Sequence, residues 1–289
     1  MKILILASTG LLGNTITKYF FNNTKFQTYG TLRDSSNIKF FDKKYKQNFL
    51  IIKNILNYSE TENKLKNLKP DIIINCFGIT NKEITNGRQS EDFININSLF
   101  PYRLQKICSN IGARLIHFSS DCIYSGNKGS YNEYDNPDPT DIYGRSKLLG
   151  ELDFDNTLTI RKSVIGHELL SKKGLLEWFL QQENYVQGYK NVIFSGITVL
   201  ELAILIEKYI IPRNNLKGII NISGERISKY ELLKIIANVY KKPIKIIPNN
   251  SLKIDRSLDG SQFNKLTGYK SNSWSLLIKS MYEFNLLNK

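Results

Sequence analysis

The sequence predicts an α/β protein built on a doubly wound parallel sheet, with a smaller α/β lobe interleaved after it. Three observations predict this. The chain opens on a continuous apolar run, Lys2 to Ala7 (KILILA), of the kind expected in a strand buried on both faces. A loop, Ser8-Thr9-Gly10-Leu11-Leu12-Gly13-Asn14, then leads into a helical pattern, Thr15 to Phe21. Short apolar runs alternate with helical stretches from there to Lys162.

Glycines between a strand and a helix let backbone approach a pyrophosphate, where the free N–H groups of the helix start attract anions. The spacing here is Ala7-x-x-Gly10-x-x-Gly13, with alanine in place of the first glycine. Without a ligand, the same loop is a close strand–helix turn. As a binding loop it offers Ser8, Thr9, Gly10, Leu11, Leu12 and Gly13 to a dinucleotide. Gln27 to Leu32 reads as the second strand and runs into Arg33. NAD sites usually place a carboxylate here for the ribose 2′-hydroxyl, whereas Arg33 suits a 2′-phosphate. NADPH is therefore the expected cofactor, and Asp34 keeps NADH open. Phe49 to Ile52 is the third strand, with Asn54 just beyond it counted among the cofactor contacts. Ile72 to Cys76 is the fourth, and Cys76-Phe77-Gly78 falls at the carboxyl edge where open α/β sheets bind ligands. Phe93 to Ile111 reads as a helix carrying Asn97, also counted as a cofactor contact, and Leu115 to Phe118 as the fifth strand.

That fifth strand opens the segment around which the chain is organised, Leu115 to Glu151. It runs into Ser119-Ser120-Asp121-Cys122, crosses a polar loop, and ends on Tyr143-Gly144-Arg145-Ser146-Lys147 at the head of a helix. Positions four apart lie above one another on a helix, so Tyr143 and Lys147 face one space. The hydroxyl of Ser119 or Ser120 arrives there from the strand end. A hydroxyl, a phenol and an ammonium beside a nucleotide fold form a proton-transfer device. Read structurally, Tyr143 and Lys147 are an ordinary surface pair.

Leu158 to Lys162 is the sixth strand, after which the rhythm loosens. Gly174 to Gln182 and Thr198 to Tyr209 read as helices, with an irregular segment holding a short strand or two, Val186 to Gly196, between them. Ile219 to Ile222 reads as a strand, and Ser228-Lys229-Tyr230-Glu231 as a capping box opening a helix to Tyr240. A short strand, Pro243 to Ile247, and a closing helix, Trp274 to Phe284, follow. The expected division is a nucleotide domain over residues 1–160 and a substrate lobe over 161–289.

Composition narrows the classes. No stretch approaches the roughly 18 apolar residues of a membrane span. Three unpaired cysteines and two histidines argue against a disulfide scaffold or a zinc site. No metal is expected in the chemistry, since phenol and lysine do the polarising. A soluble protein of a reducing, cytoplasmic compartment is the expectation, and a homodimer is an open possibility. The formal charge of +14 raises nucleic acid as a partner. The lysines are spread throughout, however, and the densest cluster, Lys39 to Lys46, is interleaved with Phe40, Phe41 and Tyr45. No nucleic-acid partner is expected; a phosphorylated small substrate would benefit from the same field.

Tyr143-x-x-x-Lys147, the upstream Ser120 and the N-terminal glycine loop together resemble the extended short-chain dehydrogenase/reductase superfamily. The phrasing SSDCIYSG…PDPTDIYGRSKLLGE is most similar to the dTDP-4-dehydrorhamnose reductase family of nucleotide-sugar reductases. IRKSVIGHE (160–168), VQGYKNVIFSGIT (186–198) and DRSLDGSQF (255–263) resemble the branch acting on UDP-linked 2-acetamido-4-keto-6-deoxy sugars. The resemblance spans essentially the whole chain. It implies that Tyr143 protonates the C4 carbonyl oxygen as hydride arrives, aided by a Lys147 cation that lowers the phenol's pKa and holds the nicotinamide ribose. It implies that Ser120 hydrogen-bonds the same carbonyl oxygen, and that the substrate is a UDP- or dTDP-linked 4-keto-6-deoxy sugar for surface-glycan precursor synthesis. Cys122 occupies the place of a proton-shuttling cysteine in epimerase-reductases such as GDP-fucose synthase. A thiol near a lysine has a lowered pKa, so C3 epimerisation through Cys122, with His167, Lys172 or Lys173 as partner base, is a further expectation; a small buried cysteine is the plain alternative.

Two other readings compete. A 4,6-dehydratase would place a carboxylate pair after the catalytic hydroxyl, whereas Asp121 is followed by Cys122. A regulatory subunit that binds NADP without turnover, as the β subunit of methionine adenosyltransferase does, would not need Ser120, Tyr143 and Lys147.

Overall fold

The computed structural model describes residues 1–80 and 90–288. Seven parallel strands make the main sheet: β1 (Lys2–Leu6), β2 (Gln27–Leu32), β3 (Phe49–Ile51), β4 (Ile72–Asn75), β5 (Arg114–Phe118), β6 (Thr157–Lys162) and β10 (Gly218–Ile222). Their order is β10-β6-β5-β4-β1-β2-β3, so the chain winds outward in both directions from β1 and β4. The pairing of Leu4 with both Ile73 and Tyr29 sets the central register. Continuous Ile and Leu runs form these strands because helices cover both faces. On one face α1 (Leu11–Asn23), α7 (Val199–Leu205) and α9 (Ser261–Thr267) enclose Ile16, Phe20, Leu202 and Phe263 against Ile3, Ile5 and Ile74. On the other, α2 (Tyr58–Leu68) and α4 (Phe100–Ile111) pack Leu65, Phe100 and Leu104 against Leu4, Leu6 and Ile73.

The expected helix over 93–111 is three pieces. A short α3 (Ser90–Phe93) and α4 flank a π-helical stretch, Ile94–Leu99. Residues 35–48, around the basic and aromatic cluster, form two 3₁₀ helices that pack Phe41 on Phe49, ring centroids 4.7 Å apart.

The second lobe holds α6 (Leu175–Gln181), β8 (Tyr185–Phe194), β11 (Ile227–Ser228), α8 (Lys229–Val239), β12 (Lys245–Asp255) and α10 (Trp274–Leu287) around Phe179, Leu232, Trp274 and Met281. Ser228 caps α8, accepting from the Glu231 amide at 3.1 Å, as the capping box requires. One expectation needs correction: in place of a short strand or two within residues 186–196 and a short strand over 243–247, β8 is a ten-residue strand paired in parallel with an eleven-residue β12. The chain after residue 160 is interleaved with the first part, since β10 extends the main sheet beside β6. Among the described residues no helix is long and apolar enough to cross a membrane.

Candidate active site

The carboxyl ends of β1, β2 and β4 open onto a cleft of about 660 Å³. Thr9, Gly10 and Leu11 line it at the start of α1, and Phe77, Gly78 and Ile79 beyond β4. Gly10 is the N-cap of α1 and contributes no side chain, which leaves the first amides of the helix open to an anion. Gly13 is needed for a different reason: a Cβ there would stand 2.1 Å from the Ala7 carbonyl oxygen. Ala7 itself adopts φ 55°, the left-handed conformation that glycine would take without strain. Alanine at this position thus keeps the loop's shape at a conformational cost.

At the far end of the cleft stand Arg33, Asn37, Lys53 and Asn54. Asp34 is turned to another task. Its carboxylate accepts from the Ser36 amide at 2.7 Å, capping the 3₁₀ helix, and those hydrogen bonds hold its pKa down. Two cations and no committed carboxylate face the cleft here, which fits a 2′-phosphate better than a bare ribose diol. Lys53 has no counterpart in the sequence reading; it became visible once β2 and β3 were paired.

Not every expected cofactor residue lines this cleft. Ser8 is fully buried, its hydroxyl held by Thr17 and aimed at the Ile5 carbonyl. Leu12 packs into the core behind α1. Cys76 turns into the same core. Asn97 is spent within the protein: it exchanges hydrogen bonds with Ile79 (3.0 and 3.1 Å) and donates to Ser146 Oγ at 3.0 Å. It braces the Gly78–Ile79 strip against the next helix, and so acts on the site by position.

That helix is α5 (Ile142–Leu149), capped by Asp141 through the Gly144 amide at 2.7 Å. Its first turn lies against the turn after β5: a Cβ on Gly144 would come within 2.2 Å of the Cys122 carbonyl oxygen. This contact seats Tyr143 beside Ser120, whose hydroxyl is within hydrogen-bonding reach of the phenol. Ser119 is fully buried, without a partner for its hydroxyl among the described residues. The two candidate serines are thereby separated. Ser120 also caps the turn Asp121–Ile123, accepting from the Cys122 amide at 3.1 Å.

The electrostatics revise two expectations. Burial pushes the Tyr143 phenol well above its ordinary range, with Cys122, Asp121 and Asp141 adding to the rise and Ser120 opposing it. Lys147 is not among the groups that act on it, so the phenol stays protonated near neutral pH rather than being activated by a neighbouring cation. Lys147 carries the complementary shift: burial, then the Lys162 charge, lowers it to about 7, against the opposing pull of Glu151. Cys122 also departs from expectation. Burial pushes its thiol up to about 12, with Asp121 adding to the rise.

None of the expected partner bases reaches Cys122. His167 is locked between Glu177 Oε1 at 2.7 Å and the Tyr240 hydroxyl at 2.8 Å. Lys172 is exposed, and Lys173 lines the cofactor cleft. The groups at Cys122 Sγ are instead the Asp121 carboxylate, to which the thiol donates at 3.7 Å, and the Arg256 guanidinium, which donates to the sulfur at 3.7 Å. Arg256 is delivered from the end of β12, where Asp255 pairs with Arg226 and holds Ser257. Beneath the site, Arg161 forms a buried two-pronged ion pair with Glu151 (2.9 and 2.8 Å) and donates to the Tyr124 hydroxyl at 2.9 Å.

The chain is similar in sequence and in fold to proteins of several kinds. The beta subunit of methionine adenosyltransferase 2 from Bos taurus is 26% identical over 259 residues, covering 84% of this chain and 73% of that protein. A dTDP-4-dehydrorhamnose reductase of Mycobacterium tuberculosis is 35% identical over 86 residues, 28% of each chain. In solved structures, the fold is shared with a dTDP-4-dehydrorhamnose reductase of Bacillus anthracis in complex with NADP (TM-score 0.77, 21% identity, 98% of both chains). It is shared equally with a dTDP-glucose 4,6-dehydratase of the same organism in complex with NAD (TM-score 0.77, 14% identity, 100% and 97% of the two chains), so the fold alone does not choose the reaction. The family description "RmlD substrate binding domain" matches residues 1–179, a span that holds the glycine loop, the cleft and the whole Ser120–Tyr143–Lys147 set; the chain belongs to that family.

Proposed function

We propose that this protein reduces the C4 ketone of a nucleotide-linked 4-keto-6-deoxy sugar with NADPH. The observation that carries the proposal is Tyr143, on α5 one turn before Lys147, seated beside Ser120 and packed against the Phe77–Ile79 strip that lines the cleft. Thr9, Gly10 and Leu11 would hold the pyrophosphate, Arg33 and Lys53 the 2′-phosphate, and Phe77 and Gly78 the strip along the dinucleotide. The bound cofactor supplies the hydride. Ser120 fixes the carbonyl oxygen by a hydrogen bond, and Tyr143, kept neutral by burial, delivers the proton that turns the ketone oxygen into a hydroxyl. The phenolate left behind takes its proton back from solvent, and Lys147, one turn along α5, would hold the nicotinamide ribose as the family resemblance implies.

dTDP-4-dehydrorhamnose is the substrate that the named relatives favour; the UDP-linked 2-acetamido sugar, favoured by the later sequence phrases, is the alternative. Epimerisation at C3 through Cys122 finds weaker support. A thiol held protonated to about 12 by burial and Asp121, against the opposing Arg256 guanidinium, is a poor base near neutral pH. A second reading, an NADP-binding regulatory subunit, is favoured by the methionine adenosyltransferase relatives, though the complete proton-transfer set weighs against it. Incubation with NADPH and a panel of dTDP- and UDP-linked 4-keto-6-deoxy sugars, with products identified by NMR, tests all of these. Reduction at C4 is the expected result. Tight NADPH binding with no turnover of any sugar would favour the regulatory reading.

A further inference from the structure

The cofactor cleft takes part of its wall from the second lobe. Between β7 (Val164–Ile165) and α6 the chain forms neither helix nor strand, and Glu168 to Ser171, Lys173 and Gly174 line the cleft. Both ends of this segment are tied. At the first, the His167 ring is held by Glu177 on α6 and Tyr240 on α8, and the His167 carbonyl accepts from the Asn14 side-chain amide on α1 at 3.3 Å. At the second, the Gly174 amide donates to the Glu168 carboxylate at 2.7 Å, so the segment closes on itself. Loops with joined ends keep their shape through such local bonds and through a few of their own side chains.

The segment's position relative to the cleft follows from two contacts. At its start a Cβ on Gly166 would stand 3.4 Å from the Leu11 side chain, at the head of α1. Further along, Leu169 packs against Leu32, Phe41 and Phe49, beside Arg33 at the end of β2. The segment thus runs from the place assigned to the pyrophosphate to the place assigned to the 2′-phosphate. That is the adenosine half of a dinucleotide. Leu169 is half-buried, whereas its neighbours Leu170 and Lys172 are exposed. Partial burial of one leucine shifts an equilibrium about tenfold. Such an anchor is weak enough to lift for ligand exchange and strong enough to slow it.

We propose that residues 168–174 are a strap, contributed by the second lobe, that closes over the adenosine half of the bound dinucleotide with Leu169 as its latch. The inference rests on the NADPH-dependent reading above and goes beyond it. It makes retention of the cofactor depend on the lobe expected to hold the substrate. The dinucleotide leaves when Leu169 lifts from the end of β2.

The test is limited trypsin digestion of the full chain, reading the bonds after Lys172 and Lys173 by mass spectrometry. It is run without ligand, with NADPH, with adenosine 2′,5′-bisphosphate and with reduced nicotinamide mononucleotide, the binding of each being measured alongside by calorimetry. NADPH and the bisphosphate are expected to slow these two cuts about tenfold relative to cuts elsewhere in the chain. The mononucleotide should leave them unchanged. Leu169→Ala should weaken NADPH and the bisphosphate alike, about tenfold, and lose the protection. NADPH that binds wild type yet protects neither bond overturns the inference and leaves the cofactor reading intact; this arm needs no variant. Protection by the mononucleotide alone, or unchanged affinity in a folded Leu169→Ala, overturns the inference as well. A wild type that does not bind NADPH overturns the cofactor reading itself.

Discussion

In the proposed reaction Tyr143 is the proton donor, and its surroundings decide what kind of acid it is. Burial holds the phenol protonated, so removal of its hydroxyl should cost the reaction its proton and little else. Tyr143→Phe is expected to lower kcat by about 10²- to 10⁴-fold, with NADPH affinity unchanged; a kcat within a few-fold of wild type would refute the role. Cys122 should behave as an inert thiol. With its pKa pushed up to about 12, native protein at pH 8 should resist iodoacetamide at this position, and rapid alkylation there by mass spectrometry would revive the epimerase. Lys147 links the site to stability. Between pH 7 and its ordinary 10.5 the unfolded chain keeps a proton that the folded chain has lost, so this group makes stability rise with pH across that window. Below pH 7 both states are protonated and the burial penalty is complete. The stability gained by Lys147→Met over wild type should therefore be greatest below pH 7 and fade towards pH 10.5; a pH-independent difference in urea unfolding contradicts the shift. Ala7, in the glycine loop, is one of the non-glycine residues with a left-handed backbone. Its φ of 55° predicts that Ala7→Gly raises stability by up to ~1 kcal/mol, about 2 °C in melting temperature.

At the scale of elements, the site depends on how α5 is seated. Its first turn touches the backbone of the turn after β5, where Gly144 leaves no room for a methyl group. Gly144→Ala must push α5 outward and draw Tyr143 away from Ser120. An activity loss larger than its stability loss of about 1–3 kcal/mol is expected, read by kinetics beside denaturant unfolding. The ion pair of Arg161 and Glu151 supports α5 from below, where both partners are almost fully buried. Glu151→Gln leaves a buried guanidinium without its counter-charge and should cost about 3–5 kcal/mol.

Across the whole molecule, legibility followed the range of the contacts. β1, the loop to Gly13, and the Tyr143–Lys147 face could be read because each depends on neighbours within a few residues. β8 and β12 could be read only as short strands: β12 is largely exposed, β8 alternates between buried and exposed positions, and their full length comes from pairing with each other sixty residues apart. Arg256 escaped notice for the same reason: it meets Cys122 across 134 positions. Asn97 shows the opposite failure, a polar residue well placed in sequence whose hydrogen bonds are all spent inside the protein. The +14 charge has a local expression as well, in Arg33, Lys53 and Lys173 along the cleft. A dianionic nucleotide sugar and a phosphorylated dinucleotide would enter that field favourably.

The central claim is that hydride passes to C4 of a nucleotide sugar while Tyr143 supplies the proton. Its most direct measurement uses NADPH carrying deuterium at the transferring position of the nicotinamide, with dTDP-4-dehydrorhamnose as substrate. Wild type is predicted to deliver the deuterium to C4 of the product, and Tyr143→Phe to deliver almost none while still binding the cofactor. Label transfer at the wild-type rate in Tyr143→Phe, or none from wild type to any dTDP- or UDP-linked 4-keto-6-deoxy sugar, would contradict it.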